Sequence, residues 1–149
     1  MDCIEFTVPG KPFGKQRPRV VHKNGYSRAY TPEKTATYEN LVKVMYQQAA
    51  RGQRFADGVP LCAEIVAYYA IPKGTSGKKR DLMIEGQIRP TKKPDLDNIE
   101  KVIYDSLNNI AYKDDSQVVK SYSEKFYGDI PRVDVKIYVI KPKKGGNRG

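Results

Sequence analysis

Residues 93–119 read KPDLDNIEKVIYDSLNNIAYKDDSQVV. Their centre has the periodicity of a helix over about 97–109. At 100° per residue, Ile99, Val102, Ile103, Leu107 and Ile110 form one apolar stripe, and such a stripe needs a sheet to cover it. Asp97, Lys101, Asp105 and Asn108 fall on the opposite face, one turn apart. Asp95 would land near the stripe if the helix reached back to it. It is therefore expected just before the helix, in extended geometry after Lys93-Pro94, where it and Asp97 can converge on one point. Asp114 and Asp115 come on the loop that enters the next strand.

The flanking sequence supplies the sheet. Residues 3–8 alternate and predict a strand, stopped by Pro9-Gly10. Residues 19–21 and 27–30 lie on either side of Asn24-Gly25 and predict a short hairpin. Thr31-Pro32-Glu33 is a helix start, with Thr31 as cap and Pro32 at the first helical position. Tyr38, Leu41, Val42, Met45 and Ala49 carry that helix to about residue 51, where Gly52 ends it. Residues 61–71 predict a buried strand. Residues 73–93 are basic and predict a flexible arm with at most one helical turn near 78–85. Residues 117–127 and 132–140 predict a final antiparallel pair around Gly128-Asp129-Ile130-Pro131. The order β, hairpin, α, β, α, β, β implies one α+β domain over 1–140, a mixed or antiparallel sheet packed by two helices. The segment 141–149 is expected to be a basic disordered tail.

The 149 residues carry 27 Lys and Arg against 17 Asp and Glu, a formal charge of +10. An excess of that size in a small chain points to a polyanionic partner, nucleic acid first. Lys15, Arg17 and Arg19 in the N-terminal loop, with Lys92 and Lys93 beside the acidic stretch, are the candidate DNA contacts. Cys3 and Cys62 lie in strand-like runs and predict buried free thiols in a reducing cytoplasm. A single histidine, His22, excludes any site that needs two imidazoles, and no paired Cys/His spacing suggests structural zinc. No run is apolar for the roughly 18 residues a membrane span needs. The N-terminus shows no secretion signal.

Carboxylates beside basic arms repel a phosphodiester unless a cation lies between them. Mg²⁺ suits that position, because it prefers hard oxygen ligands and keeps sites for water and phosphate. Such an ion polarises a scissile phosphate and activates water, and Lys101 beside it can neutralise developing charge. Each residue also has a structural reading. Asp97 with Glu100 fits a capping box, Asp114-Asp115 fits a turn, and Lys101 with Asp105 fits a solvated pair.

The segments Lys93–Lys101, Asp105-Ser-Leu-Asn and Ala111–Val118 together resemble the core motif of RusA-type endodeoxyribonucleases. Gly10–Arg19 and Ala29–Thr35 resemble the versions in phage and prophage members. The resemblance implies metal-binding carboxylates at Asp95, Asp97 and Asp115 and a catalytic lysine at Lys101, with Asp114 able to exchange roles with Asp115. It implies a homodimer in the cytoplasm of a bacterial or phage-infected cell. It also implies Mg²⁺ dependence, with Mn²⁺ as a substitute, and paired nicks in a four-way DNA junction that leave 5′-phosphate and 3′-hydroxyl ends. A nuclease acting on flaps or forks, or a non-catalytic DNA-binding module, are the alternatives.

Overall fold

In the computed structural model, which describes residues 1–142, a four-stranded sheet carries the fold. Its strands are β1 (Cys3–Pro9), β4 (Leu61–Ala70), β5 (Val118–Gly128) and β6 (Arg132–Val139), in the order β1-β6-β4-β5. Strands β2 (Arg19–Lys23) and β3 (Tyr26–Tyr30) form a separate hairpin. The helices are α1 (Glu33–Ala50), α2 (Gly77–Ile84) and α3 (Leu96–Leu107), followed by a short 3₁₀ turn at Asp115–Gln117. The mixed α+β class expected from the sequence is therefore present, with one helix more than the two expected. The tail expected at 141–149 lies, from residue 143 on, outside the described residues.

Alternation decides which face of the sheet is covered. Ile4, Phe6 and Val8 of β1, Val133, Val135 and Ile137 of β6, and Leu61, Ala63, Ile65, Ala67 and Tyr69 of β4 are buried on one face. Against them α1 lays Tyr38, Val42, Tyr46 and Ala50, and α3 lays Ile99, Val102, Ile103 and Leu107. Those four α3 side chains are fully buried. Each contributes about 1.5–3 kcal/mol relative to exposure, which fixes the helix on the sheet.

The expected antiparallel pairing of 117–127 with 132–140 does not form. Strand β5 runs parallel to β4, and β6 pairs antiparallel with β1 and β4. The reason lies in β5. On the covered side its register places Ser121, Ser123 and Lys125 beside Ala63, Ile65 and Ala67. A strand that polar is disfavoured at the centre, so the apolar β4 lies inside it and β5 becomes an edge.

The arm expected to be flexible at 73–93 is also ordered. Ser76 caps α2 through a bond from the Lys79 N–H, and Met83 is buried. Arg89 then stacks 3.7 Å over Phe126 and donates to the Lys125 carbonyl. Thr31 does not cap α1. Pro32 occupies the cap position with no side-chain bond, and Glu33 opens the helix. Of the two free thiols, Cys62 is buried but Cys3 is exposed.

Candidate active site

The backbone leading into α3 is held from below. The Tyr69 hydroxyl donates to the Pro94 carbonyl at 2.8 Å, and the Lys125 ammonium donates to the Lys92 carbonyl at 2.6 Å. Asp95 follows as the helix-capping residue in extended geometry, with φ −74° and ψ 154°. This is the placement the sequence predicts. Its carboxylate makes no cap bond, so its oxygens stay available although it stands where a side chain usually caps the helix. Tyr69 senses the charge: burial, helped by nearby Asp95, pushes its phenol up to about 12.

Asp97 lies exposed in the first turn of α3. The alternative of Asp97 as cap in a box with Glu100 is not realised. Glu100 instead accepts from the Ser121 and Ser123 hydroxyls at 2.8 and 2.9 Å and ties the helix to β5. Lys101 is exposed and makes no ion pair among the described residues.

The N-terminal loop closes over this end of α3. A Cβ at Gly14 would sit 2.8 Å from Pro94 Cβ and 3.1 Å from Asn98 Cβ, so only glycine allows this approach. The Lys15 N–H donates to the Asn98 carbonyl at 2.9 Å. Between loop and helix lies a polar cleft of about 550 Å³, lined by Lys11 and Lys15 of the loop and by Lys93, Asp95 and Asn98 of the segment that enters α3.

The Lys15 side chain turns inward. Its ammonium meets Glu39 of α1 at 2.8 Å and Asp105 of α3 at 3.2 Å. Burial alone would lower its pKa, but the two carboxylates outweigh that and hold the ammonium above its usual value. The sequence puts Asp105 on the correct face but does not reveal this triad, because nothing local links positions 15, 39 and 105.

The Asp-Asp pair divides its work. Asp114 accepts from the Ser116 N–H at 2.9 Å and caps the 3₁₀ turn in a reciprocal box with Gln117. That bonding lowers its pKa. Buried Gln117 also donates to the carbonyls of Ala56 and Val59, fixing the loop to the core. The Asp115 N–H donates to Asn108 Oδ1 at 2.8 Å. Its carboxyl is pushed up, first by burial and then by the negative charges of Asp114 and Asp105.

A row thus runs along one face of α3, from Asp97 past Lys101 to Asp105, with Asp95 just before the helix and Asp115 near Asp105 at its far end. Asp97 and Asp105 are eight residues apart, about 12 Å along a helix. That spread explains why no group of three or more His, Cys, Asp or Glu side chains is close enough to hold a metal among the described residues. Of the candidate DNA contacts, Arg17, Lys92 and Lys93 are exposed and Arg19 opens β2. Among the described side chains of that set, Lys15 is engaged with carboxylates.

Residues 9–138 match the family Endodeoxyribonuclease RusA. A Bacillus subtilis (strain 168) relative, named Uncharacterized protein YqaN, is 40% identical over 139 residues, covering 92% of this chain and 96% of its own. The Crossover junction endodeoxyribonuclease rusA of Lactococcus phage r1t is 27% identical over 135 residues, covering 90% and 95%. With most of its length matched, this chain belongs to the RusA endodeoxyribonuclease family.

Proposed function

We propose that the protein resolves four-way DNA junctions by paired, symmetric, Mg²⁺-dependent nicks that leave 5′-phosphate and 3′-hydroxyl ends. The observation that carries this is the cleft: the Asp95 carboxylate, without a cap bond at the start of α3, faces a basic loop across a polar space. Phosphate fits the basic wall, and a cation fits the acidic one. Family membership makes the chain an endodeoxyribonuclease, so the reading as a non-catalytic module falls away.

The donor set suits Mg²⁺. Asp95, Asp97 and Asp115 offer hard oxygens only, and Mg²⁺ commonly takes one or two carboxylates with water and substrate phosphate. As they stand the three do not form one cluster among the described residues; they would hold the ion, with Mn²⁺ as a substitute, on being drawn together around substrate phosphate, and when bound it polarises the scissile phosphate. The chain's own groups do the remainder. Lys101, free on the same face, lies where an ammonium can neutralise charge growing on the phosphate. The Tyr69 and Lys125 bonds to residues 92–94 hold Asp95 in place. Arg17, Arg19, Lys92 and Lys93 supply phosphate contacts.

A four-fold branched substrate with opposed scissile strands is met by an isologous dimer carrying one site per protomer. No helix among the described residues is long and apolar enough to cross a membrane.

Cleavage of synthetic four-way junctions, flaps, forks and linear duplex, each with Mg²⁺ and in EDTA, tests the proposal. The expected result is symmetric nicking of junctions with Mg²⁺ only, giving ends that ligase seals. Preference for flaps or forks, or cleavage in EDTA, overturns it.

A further inference from the structure

The hairpin β2–β3 has two different faces. Every residue from Val20 to Ala29 is exposed, including Val20 at 57%, Val21 at 43% and Tyr26 at 77%. The register pairs Val21 with Arg28 and Lys23 with Tyr26, so these four share one face. Val20 with Ala29 and His22 with Ser27 form the other, where His22 Nδ1 and Ser27 Oγ are 2.9 Å apart. Both permanent charges between residues 20 and 29 are therefore on one side, beside an aromatic ring and a branched aliphatic. A depression of about 550 Å³ runs along that side, lined by Val21, Lys23, Asn24, Tyr26 and Arg28.

A free two-stranded ribbon is marginal in water, and exposed Val and Tyr on it want a cover. The cover must be anionic. Residues 11–32 hold six Lys and Arg (Lys11, Lys15, Arg17, Arg19, Lys23, Arg28) and no Asp or Glu. The shape agrees as well. Strands of five residues reach about 17 Å, and the DNA major groove, about 12 Å wide, admits a two-stranded ribbon. The tip is tight, because Asn24 and Gly25 both take positive φ, 52° and 79°, as a two-residue hairpin turn requires.

We propose that this ribbon lays its Val21–Lys23–Tyr26–Arg28 face into the major groove of a duplex arm of the substrate. Lys23 and Arg28 grip the phosphates at the rims, and Tyr26 and Val21 meet base edges, where apolar contact with the thymine methyl is available. The inference rests on the DNA-cleaving reading above and adds the element and the face that hold the arm.

The test uses the full chain in EDTA, with affinity measured by fluorescence anisotropy on a linear duplex and on a four-way junction at several salt concentrations. The double variant Lys23→Ala/Arg28→Ala should bind both DNAs about tenfold more weakly. Its slope of log affinity against log salt should flatten by about 0.9 for each phosphate that is no longer neutralised. The opposite-face variant His22→Ala/Ser27→Ala should stay within about twofold of wild type. Wild type, and not the basic-face variant, should protect guanine N7 in the groove from methylation. Equal losses from the two faces, no loss from either, or absent N7 protection overturns the proposal. So does a change of oligomeric mass in the basic-face variant with DNA affinity unchanged, which would make the ribbon a contact between copies of the chain. Because linear duplex is one of the probes, the ribbon result stands apart from the junction reading. That reading fails instead if wild type cuts no branched DNA.

Discussion

The start of α3 and the β2–β3 ribbon are both rich in charge, yet the protein builds them in opposite ways. Around α3 the backbone is held on all sides: Tyr69 on Pro94, Lys125 on Lys92, Asn98 on Lys15 and Asn108 on Asp115. The ribbon has ten consecutive exposed residues, and among the described residues its own ladder is its main support. The difference matches two tasks. Bond cleavage needs side chains fixed to within a fraction of an ångström, whereas gripping a duplex arm needs reach and tolerates motion. Changes at α3 should therefore stop chemistry and spare affinity, and changes on the ribbon should do the reverse.

The hardest test of that division is Asp95→Asn, Asp97→Asn or Asp115→Asn. Each should abolish junction cleavage, beyond the roughly 100-fold that losing a mere supporting partner of a metal ligand costs. Junction binding in EDTA should persist or tighten, since repulsion of phosphate falls. Wild-type cleavage by any one variant removes that residue from the site. Next in size is Lys101→Ala. Its cleavage rate should drop by roughly 10²–10³-fold, as loss of one transition-state stabiliser does, with affinity within a few fold. If affinity falls as far as rate, Lys101 belongs with the gripping residues and the division between the two regions is blurred.

Much of the α3 region is legible in the sequence because its signals are local. The apolar stripe from Ile99 to Leu107 fixes the helix, and the break in that stripe places Asp95 outside it. What is not legible is long-range. Lys15 looks like a DNA contact because its neighbours are all basic or neutral, yet its ammonium belongs to Glu39 and Asp105. Strand β5 looks like half of a hairpin because Gly128–Pro131 is a good turn. The polarity of Ser121, Ser123 and Lys125 then sends it to the edge beside β4. The helix α2 is hard to read for a related reason: its own apolar periodicity is weak, and the anchors of its segment, Phe126 and Asp129, lie far along the chain.

Lys15 joins the two regions, since it leaves the basic loop to bind the acidic face. Lys15→Ala leaves Glu39 and Asp105 facing each other without a cation. The pair is mostly shielded, so the cost should fall between that of exposed and buried bridges, about 1–2 kcal/mol, or roughly 3–6 °C in thermal midpoint. The pH dependence has a definite sign. The ammonium is held above its usual pKa in the folded state, so its contribution is complete below about 10.4 and is lost as pH rises through the folded value. As pH is raised from neutral, wild type should lose its margin over Lys15→Ala in that alkaline range. A margin that is constant across it would mean that packing of the lysine stem, and not its charge, closes the loop onto α3.

The smallest effect separates two neighbours that look alike in sequence. Asp114 commits its carboxylate to the Ser116 N–H and the box with Gln117, whereas Asp115 holds its own against the charges of Asp114 and Asp105. Asp114 therefore serves the fold and Asp115 opposes it. Asp114→Ala removes a cap and should lower the thermal midpoint, with cleavage changed only a few fold. Asp115→Asn keeps the bond to Asn108, because the donor there is the backbone N–H, and removes a charge that Asp114 and Asp105 repel. Its midpoint should rise by about 1–3 °C while cleavage disappears. Melting curves and cleavage rates of the two variants at neutral pH decide between them. A stabilised but active Asp115→Asn, or an inactive Asp114→Ala of normal stability, would exchange the roles of the pair. The expected outcome, a more stable Asp115→Asn that no longer cleaves, follows from the geometry: a site must hold a charge where the fold would be better off without it, and among these two residues only Asp115 does so.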